Sequence, residues 1–170
     1  MMRRFKEMTA ILAVVLLVSP AFSQQNEEED RAAERILCYA ASEGDMLSFL
    51  NLISTRPSIN VNCACDEDGN TPLHYASLGG FHRIVGMLLK KGATIDSLSW
   101  RLAVSGDHLA VVKLFVEQGS SLCIFFKDKN YGYPASHYAT TDEMRDFLLE
   151  SEKKANIKTD SLGACYREEK

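Results

Sequence analysis

Apolar residues recur in four clusters between residues 46 and 149, and the first three clusters have helical spacing. Neighbours three or four positions apart form one face of an amphipathic helix. The clusters are Met46, Phe49, Leu50, Leu52 and Ile53; Leu73, Ile84, Val85, Leu88 and Leu89; Val111, Val112, Leu114, Phe115 and Val116; and Phe147, Leu148 and Leu149. Pro57, Gly92 and Gly119 follow the first three clusters, where a helix is expected to end. The pattern predicts short helices separated by tight turns.

A shorter motif occurs three times beside these clusters. The motif aligns residues 39–45, 75–81 and 102–108, since each has alanine at its second position and glycine near its end. The motifs lie 36 and 27 residues apart. Each motif with its cluster forms a helix-turn-helix unit, which buries its apolar face by stacking against its neighbours. Such an internal repeat predicts a helical solenoid.

The first helix of the second unit is the best defined, and its residues have structural duties. Thr71 is a good N-cap, and Pro72 fits the first helical turn, where a missing N–H costs nothing. Leu73 belongs to the apolar stripe, and Ala76 is small enough for paired helices to approach closely. We expect His74 to hydrogen-bond neighbouring backbone and tie one repeat to the next, rather than to bind a metal.

The six residues 71–76 read Thr-Pro-Leu-His-Tyr-Ala and resemble the ankyrin-repeat signature almost letter for letter. Gly80, which ends the first helix, and Gly92, which stops the second with a left-handed turn, extend the match over residues 66–96. The resemblance implies an all-α ankyrin-repeat solenoid of about four helix-turn-helix repeats with degenerate terminal repeats.

The resemblance divides the chain into four units of unequal quality. We place them at residues 31–62, 66–97, 98–124 and 128–154. The third unit lacks about six residues of the usual period of about 33. They are missing from the hairpin before its first helix, so that hairpin should be short. In the fourth unit, residues 132–139 mirror residues 69–76, which gives His137 the place of His74.

The N-terminal segment, residues 1–23, has the three parts of a secretory signal peptide. Arg3, Arg4 and Lys6 give a positive start, residues 8–18 are almost wholly apolar, and small residues end the segment. The alternative is a membrane anchor, but a span needs about 20 apolar residues. We therefore expect cleavage after Ser23, no stable membrane span, and an exported protein, periplasmic or secreted.

Charge restricts the class of partner. The chain has 19 basic and 23 acidic residues and a net charge of −4, without the basic patch typical of nucleic-acid binders. Residues 24–30 are acidic and form either a solvated leader or an acidic contact arm. Residues 155–170 are polar, and we expect a loose C-terminal tail.

The five cysteines lie after the predicted cleavage site. Export would permit disulfides, and an odd number leaves at least one thiol unpaired or paired between chains. Cys123 and Cys165 are the preferred pair, while Cys63 and Cys65 could pair with other cysteines. Cys38 has the place of the buried histidine of a repeat and is expected to be a packed thiol.

The resemblance also implies a surface, because ankyrin proteins bind partners through their hairpin tips and the exposed face of their first helices. Position by position, it selects Glu67, Asp68, Asn70 and Leu78 from the second unit, Trp100, Arg101 and Ser105 from the third, and Asn130, Tyr131 and Tyr133 from the fourth. Tryptophan and arginine are common interface anchors. Phe125 and Phe126, beside those tyrosines, either join a binding patch or cover the end repeat.

Catalytic residues, a metal site and a cofactor site are not expected. The four histidines lie in separate repeats, and Cys63-Ala64-Cys65 has too few partners for a four-ligand zinc site. No glycine-rich phosphate loop occurs. The expected function is non-catalytic binding of a protein partner of unknown identity, by a periplasmic adaptor, enzyme accessory or immunity protein. The alternative is a secreted effector that binds a host protein.

Overall fold

The structure is a computed structural model that describes residues 26–125, 131–159 and 163–166. The predicted signal peptide lies outside the described residues. Among those residues, no helix has both the length and the apolar character needed to cross a membrane. The described helices are α1 (residues 26–43), α2 (Met46–Thr55), α3 (Pro72–Leu78), α4 (His82–Lys90), α5 (Ser97–Ser105), α6 (Leu109–Glu117), the 3-10 helix η1 (Ala135–Tyr138) and α7 (Asp142–Lys154).

The helices pair into four units and stack in two rows. The first helices α3 and α5 pack together and are followed by η1, while the second helices α2, α4 and α6 form the other row. One apolar core runs through all four units, and among its fully buried side chains are Leu37, Phe49, Leu73, Leu88, Phe115 and Leu148. This arrangement confirms the predicted all-α ankyrin solenoid.

Helix α3 begins as its sequence predicts. The Thr71 hydroxyl accepts a hydrogen bond from the His74 N–H, and His74 Nδ1 accepts one from the Thr71 N–H at 3.0 Å. This reciprocal capping satisfies two backbone donors that the helix would otherwise leave free. Pro72 occupies the first turn, and Ala76 is fully buried where neighbouring helices meet.

Equivalent contacts join the turn of each unit to the next unit. The ring of Phe81 lies over Gly44, where an added Cβ would come within 2.5 Å of it. The ring of His108 lies over Gly80 in the same way, and its Nε2 lies 2.8 Å from the Leu78 carbonyl oxygen. At the third step the Thr141 hydroxyl donates to Asp107 at 2.6 Å. We call these three contacts the turn ladder.

The fourth unit departs from the expected pattern because it contains a small antiparallel sheet. Strands β1 (Cys123–Phe125), β2 (Tyr131–Pro134) and β3 (Cys165–Tyr166) lie in the order β1-β2-β3. Gly132 pairs with Cys165. The expectation of a loose tail is therefore wrong for β3, which docks on the hairpin through main-chain pairing.

The first helix of the fourth unit is shortened to the 3-10 helix η1, and α7 holds it in place. The buried carboxylate of Glu152 accepts hydrogen bonds from the N–H and the hydroxyl of Ser136, both at 2.7 Å. The Thr141 hydroxyl caps α7 and accepts a hydrogen bond from the Met144 N–H.

The acidic segment before the first unit is helical where it is described. Residues 26–30 continue α1, and Arg56 donates to Asp30 at 2.8 Å and to Glu29 at 3.2 Å. These two exposed ion pairs join the start of α1 to the residue that follows α2, and Glu27 and Glu28 stay exposed.

Candidate partner-binding surface

Asp66 organises the hairpin between α2 and α3. Its carboxylate accepts hydrogen bonds from the Asn70 N–H at 2.9 Å, from the Asn70 amide at 2.7 Å and from the Tyr75 hydroxyl at 2.7 Å. The hydrogen bonds from Asn70 and Tyr75 lower the pKa of Asp66 to about 2, so the carboxylate stays ionised at neutral pH. The hairpin tip, residues 66–70, is thereby fixed with Glu67 and Asp68 exposed.

A depression of about 270 Å³ lies beside this tip, between α1 and α3. Its lining residues come from α1, from α3 and from the hairpin: Arg35, Cys38, Tyr39, Ser42, Cys65 and Tyr75. Since Cys65 comes directly before Asp66, the floor of this α1–α3 depression continues into the acidic tip.

The exposed face beside the depression repeats from unit to unit. Tyr39 and Ser42 lie three residues apart on α1, Tyr75 and Leu78 on α3, and Leu102 and Ser105 on α5, and such pairs share one face of a helix. The Tyr39 residue is 64% exposed and Leu78 is 54% exposed. The sequence reasoning missed Tyr39, although its offset of 36 residues from Tyr75 would have placed it on this face.

Most of the predicted binding residues of the second and third units are accessible. Glu67, Asp68, Leu78, Arg101 and Ser105 are exposed, and Asn70 is half-buried through its bonds to Asp66. The structure brings the residues of the second unit together along the tip and α3, while Arg101 and Ser105 lie on the next helix of the same row.

Trp100 is not a surface anchor, and this prediction is wrong. The residue is 2% exposed, and its ring packs edge-on against Phe115 with centroids 5.3 Å apart. The reason lies in the alignment of the repeats, because Trp100 occupies the place of the fully buried Leu73. The large ring fills the core of the unit with the shortened hairpin.

The aromatic segment of the fourth unit forms part of the small sheet. Tyr131 and Tyr133 belong to β2, while Phe126 and Asn130 lie outside the described residues. The Tyr133 ring stacks on His137 at 4.6 Å. His137 is exposed and so does not repeat the buried role of His74, because η1 is too short to cap and bury it in the same way.

The cysteines form two disulfides and leave Cys63 as a buried thiol. Cys123 and Cys165, the preferred pair, are bonded and join β1 to β3. Cys38 is bonded to Cys65 instead of being the packed thiol that we expected. The hairpin after α2 brings Cys65 to α1, with the two Cα atoms 5.5 Å apart.

His74 ties the second unit to the third through a side chain. Because its Nδ1 accepts the Thr71 N–H, its Nε2 carries the proton and donates to Asp96 Oδ1 at 2.9 Å. Burial raises the pKa of Asp96, but hydrogen bonds from His74 and Ser99 outweigh burial and hold this pKa well below its usual range. Asp96 also caps α5, so one carboxylate serves both units.

Comparisons with known proteins agree on one family. A family model for ankyrin repeats, in three copies, matches residues 8–99. An ankyrin repeat-containing protein of Saccharomyces cerevisiae is 45% identical over 60 residues, 35% of this chain and 11% of the yeast protein. An ankyrin repeat protein of Rickettsia felis is 28% identical over 99 residues, 54% of this chain and 44% of the rickettsial protein. The chain thus spans less than half of either relative.

Proposed function

Because the chain belongs to the ankyrin-repeat family, whose fold is generally a non-enzymatic interaction module, we propose that it is an exported protein that binds one partner protein. The observation that carries the proposal is a pair of large exposed side chains: Tyr39, which lines the α1–α3 depression, and Leu78, which lies one helical turn after the lining residue Tyr75. Large exposed apolar side chains around a concavity are typical of binding anchors.

The chemistry of this surface selects a kind of partner segment. An apolar side chain would enter the α1–α3 depression between Tyr39 and Tyr75. A basic side chain next to it would meet Glu67 and Asp68, which project from a hairpin tip that Asp66 keeps rigid. Preformed geometry lowers the entropic cost of binding, and exposed charges at a rim mainly accelerate association.

Export is supported by the N-terminal segment and by the cysteines. The positive start, the apolar run and the small residues before Gln24 are the parts of a cleavable leader. Two disulfides among the described residues fit an oxidising compartment, since disulfides persist mainly outside the reducing cytosol. We place the protein in the periplasm or the medium.

Affinity capture with matched surface variants tests the proposal. The tagged chain, the double variant Tyr39→Ala/Leu78→Ala and the control Leu47→Ala are expressed in the native cells and captured from envelope and medium. Leu47 is a matched control, since it is 79% exposed but belongs to α2, in the other row of helices. The mass of the captured chain also reports whether it begins at Gln24.

We expect one protein to be captured by the wild type and by Leu47→Ala and to be lost from the double variant. Loss of one anchor costs about 2 kcal/mol, which weakens binding roughly 30-fold. Equal circular dichroism spectra establish that the three chains are folded alike. Capture of the same protein by the double variant would rule out this surface, and an unprocessed N-terminus in every fraction would rule out export by cleavage of the leader.

A further inference from the structure

Three sulfur atoms meet at the junction of the first two units. The Sγ atoms of Cys38, Cys63 and Cys65 all lie within 4.8 Å of one another, and those of Cys38 and Cys63 are 3.9 Å apart. The sequence offered too few partners for Cys63 and Cys65, and the fold supplies the third cysteine from α1. The cluster becomes a set of three thiols when the Cys38–Cys65 bond is reduced.

The spacing of the sulfurs fits three-coordinate thiolate chemistry. A metal ion about 2.3 Å from each of three thiolates requires the sulfurs to be roughly 4 Å apart. The Cys38–Cys63 separation already has this value, and opening the disulfide lets Cys65 retreat to it. Soft thiolate ligands favour monovalent copper, while zinc sites in proteins usually take four ligands.

The surroundings of the three cysteines leave the site accessible from solvent. The α1–α3 depression opens onto Cys38 and Cys65, so a small dithiol or a cation can reach them, and Arg35 on the same wall offsets negative charge. Cys63 is buried, so the depression gives direct access to two of the three sulfurs.

We propose that Cys38, Cys63 and Cys65 form a redox-gated binding site for one monovalent copper ion. A dithiol reductant gives two electrons to the Cys38–Cys65 bond, leaves two thiols and becomes a disulfide itself. The copper ion then displaces one proton from each of the three thiols, forms three Cu–S bonds and releases three protons. In the reverse direction an oxidised dithiol takes two electrons from Cys38 and Cys65 by thiol–disulfide exchange, leaves as a dithiol with two protons from water, and the Cys38–Cys65 bond re-forms. The ion then loses two ligands and is released, and Cys63 takes up a proton.

The test is a copper titration of the full chain, reduced anaerobically with a dithiol and desalted. Monovalent copper is added in competition with bicinchoninate, a chromophoric chelator, and thiolate-to-copper absorption is followed in the near ultraviolet. The variant Cys63→Ser removes one ligand and leaves the disulfide pair intact. The matched control Cys123→Ser/Cys165→Ser removes the two other cysteines of the chain.

We expect one ion per chain for the reduced wild type and for the Cys123→Ser/Cys165→Ser control. For Cys63→Ser, the affinity should fall by more than the about 10- to 100-fold lost when a residue that only orients a ligand is changed. The oxidised wild type should bind no more tightly than Cys63→Ser. Full affinity in Cys63→Ser, or a folded reduced chain that takes up no copper, would overturn the proposal.

Circular dichroism keeps the test decisive if reduction unfolds the chain. Restoration of the helical signal by one equivalent of copper supports the site, because binding to the three thiols then drives folding. A reduced chain that stays unfolded with copper contradicts it, since three thiolates held by the native fold would favour the folded state.

Discussion

Two junctions of the solenoid are joined by different chemistry. One lies between the first and second units, and the other lies between the second and third units. Cys38 and His74 occupy equivalent places, 36 residues apart, on α1 and α3. Each reaches forward to the segment that precedes the next first helix, where Cys38 bonds covalently to Cys65 and His74 donates to Asp96. The same position of the repeat can thus carry a disulfide or a hydrogen bond to the next unit. In both cases the backbone brings the first helix of one unit close to the segment before the first helix of the next.

The two junctions differ in what surrounds the tie. A complete hairpin covers the first junction, whereas the second has only the short segment 91–96. Asn62 holds that segment, since its amide donates to the Gly92 carbonyl at 3.1 Å and its oxygen accepts the Thr94 N–H at 2.9 Å. The second junction is therefore held by hydrogen bonds where the first is held by a covalent bond, and Trp100 lies within the third unit against Phe115.

Replacing Trp100, in the core of the third unit that follows the second junction, should have the largest effect on stability. Trp100→Ala removes a buried ring from its contact with Phe115 and leaves a cavity. We expect the free energy of unfolding to fall by about 3–5 kcal/mol, measured by urea denaturation. Trp100→Phe is the control and should cost less, because it keeps an aromatic ring and removes an indole N–H that has no acceptor among the described residues. A loss below about 1 kcal/mol for Trp100→Ala would contradict this role.

Removing the Cys38–Cys65 disulfide should have the next largest effect on stability. This effect should occur only in the oxidised protein. Cys38 and Cys65 are 27 residues apart, and the chain-entropy relation for a loop of this length gives about 3–4 kcal/mol. We expect Cys38→Ser, Cys65→Ser and the double variant to be destabilised almost equally, because each lacks the same bond. Clearly additive losses in the double variant would show that the two side chains stabilise the fold separately.

Removing the carboxylate of the second junction should have the smallest effect. Asp96→Ala loses the cap of α5 and the acceptor for His74, so we expect the free energy of unfolding to fall by about 1 kcal/mol at neutral pH. The partial exposure of Asp96 keeps this value small, since solvent screens such pairs. Asp96→Asn, which can still cap α5, is the control and should cost less.

The pH dependence of that loss tests its electrostatic part. Because the pKa of Asp96 in the folded protein lies below its ordinary value of 3.8, the charged carboxylate stabilises the fold fully above that value. The stabilisation is lost as the pH falls through the lowered pKa. The difference in the free energy of unfolding between the wild type and Asp96→Asn should therefore be constant near neutral pH and become smaller in acid. A difference that grows in acid would contradict this assignment.

The sequence was sufficient for the helical repeats because local rules and repeat geometry agree. Thr71, Pro72 and Leu73 fix the start of α3, and the same spacing locates its neighbours. The prediction that Trp100 is a surface anchor followed from the frequency of tryptophan at interfaces. The equivalent residue of the second unit, Leu73, already indicated a buried position. For Cys38 the equivalent position was misleading, because equivalence with His74 suggested a packed thiol. The disulfide depends on the path of the hairpin, which brings Cys65 to Cys38.

The small sheet could not be predicted by repeat reasoning because the repeat contains no such element. The pairing of Gly132 with Cys165 joins segments far apart in sequence, and the polar composition of the tail gave no signal of it. The preferred Cys123–Cys165 pair placed Cys165 near β1 but did not indicate a strand. Among the candidate surface residues, the tip residues Glu67 and Asp68 follow from the family pattern. The depression next to them required the relative placement of α1 and α3, which no single repeat contains.

The turn ladder restricts the order in which the units can follow one another. Gly44 and Gly80 receive a ring from the unit that follows, whereas Asp107 receives the hydroxyl of Thr141. A rearranged array that placed Phe81 after Asp107 would press a ring against a carboxylate, and one that placed Thr141 after Gly44 would leave a gap where a ring belongs. The first two steps both place a ring over a glycine, whereas the third pairs a carboxylate with a hydroxyl. The last unit is therefore not interchangeable with the others, and moving it requires a compensating change in the turn that it follows.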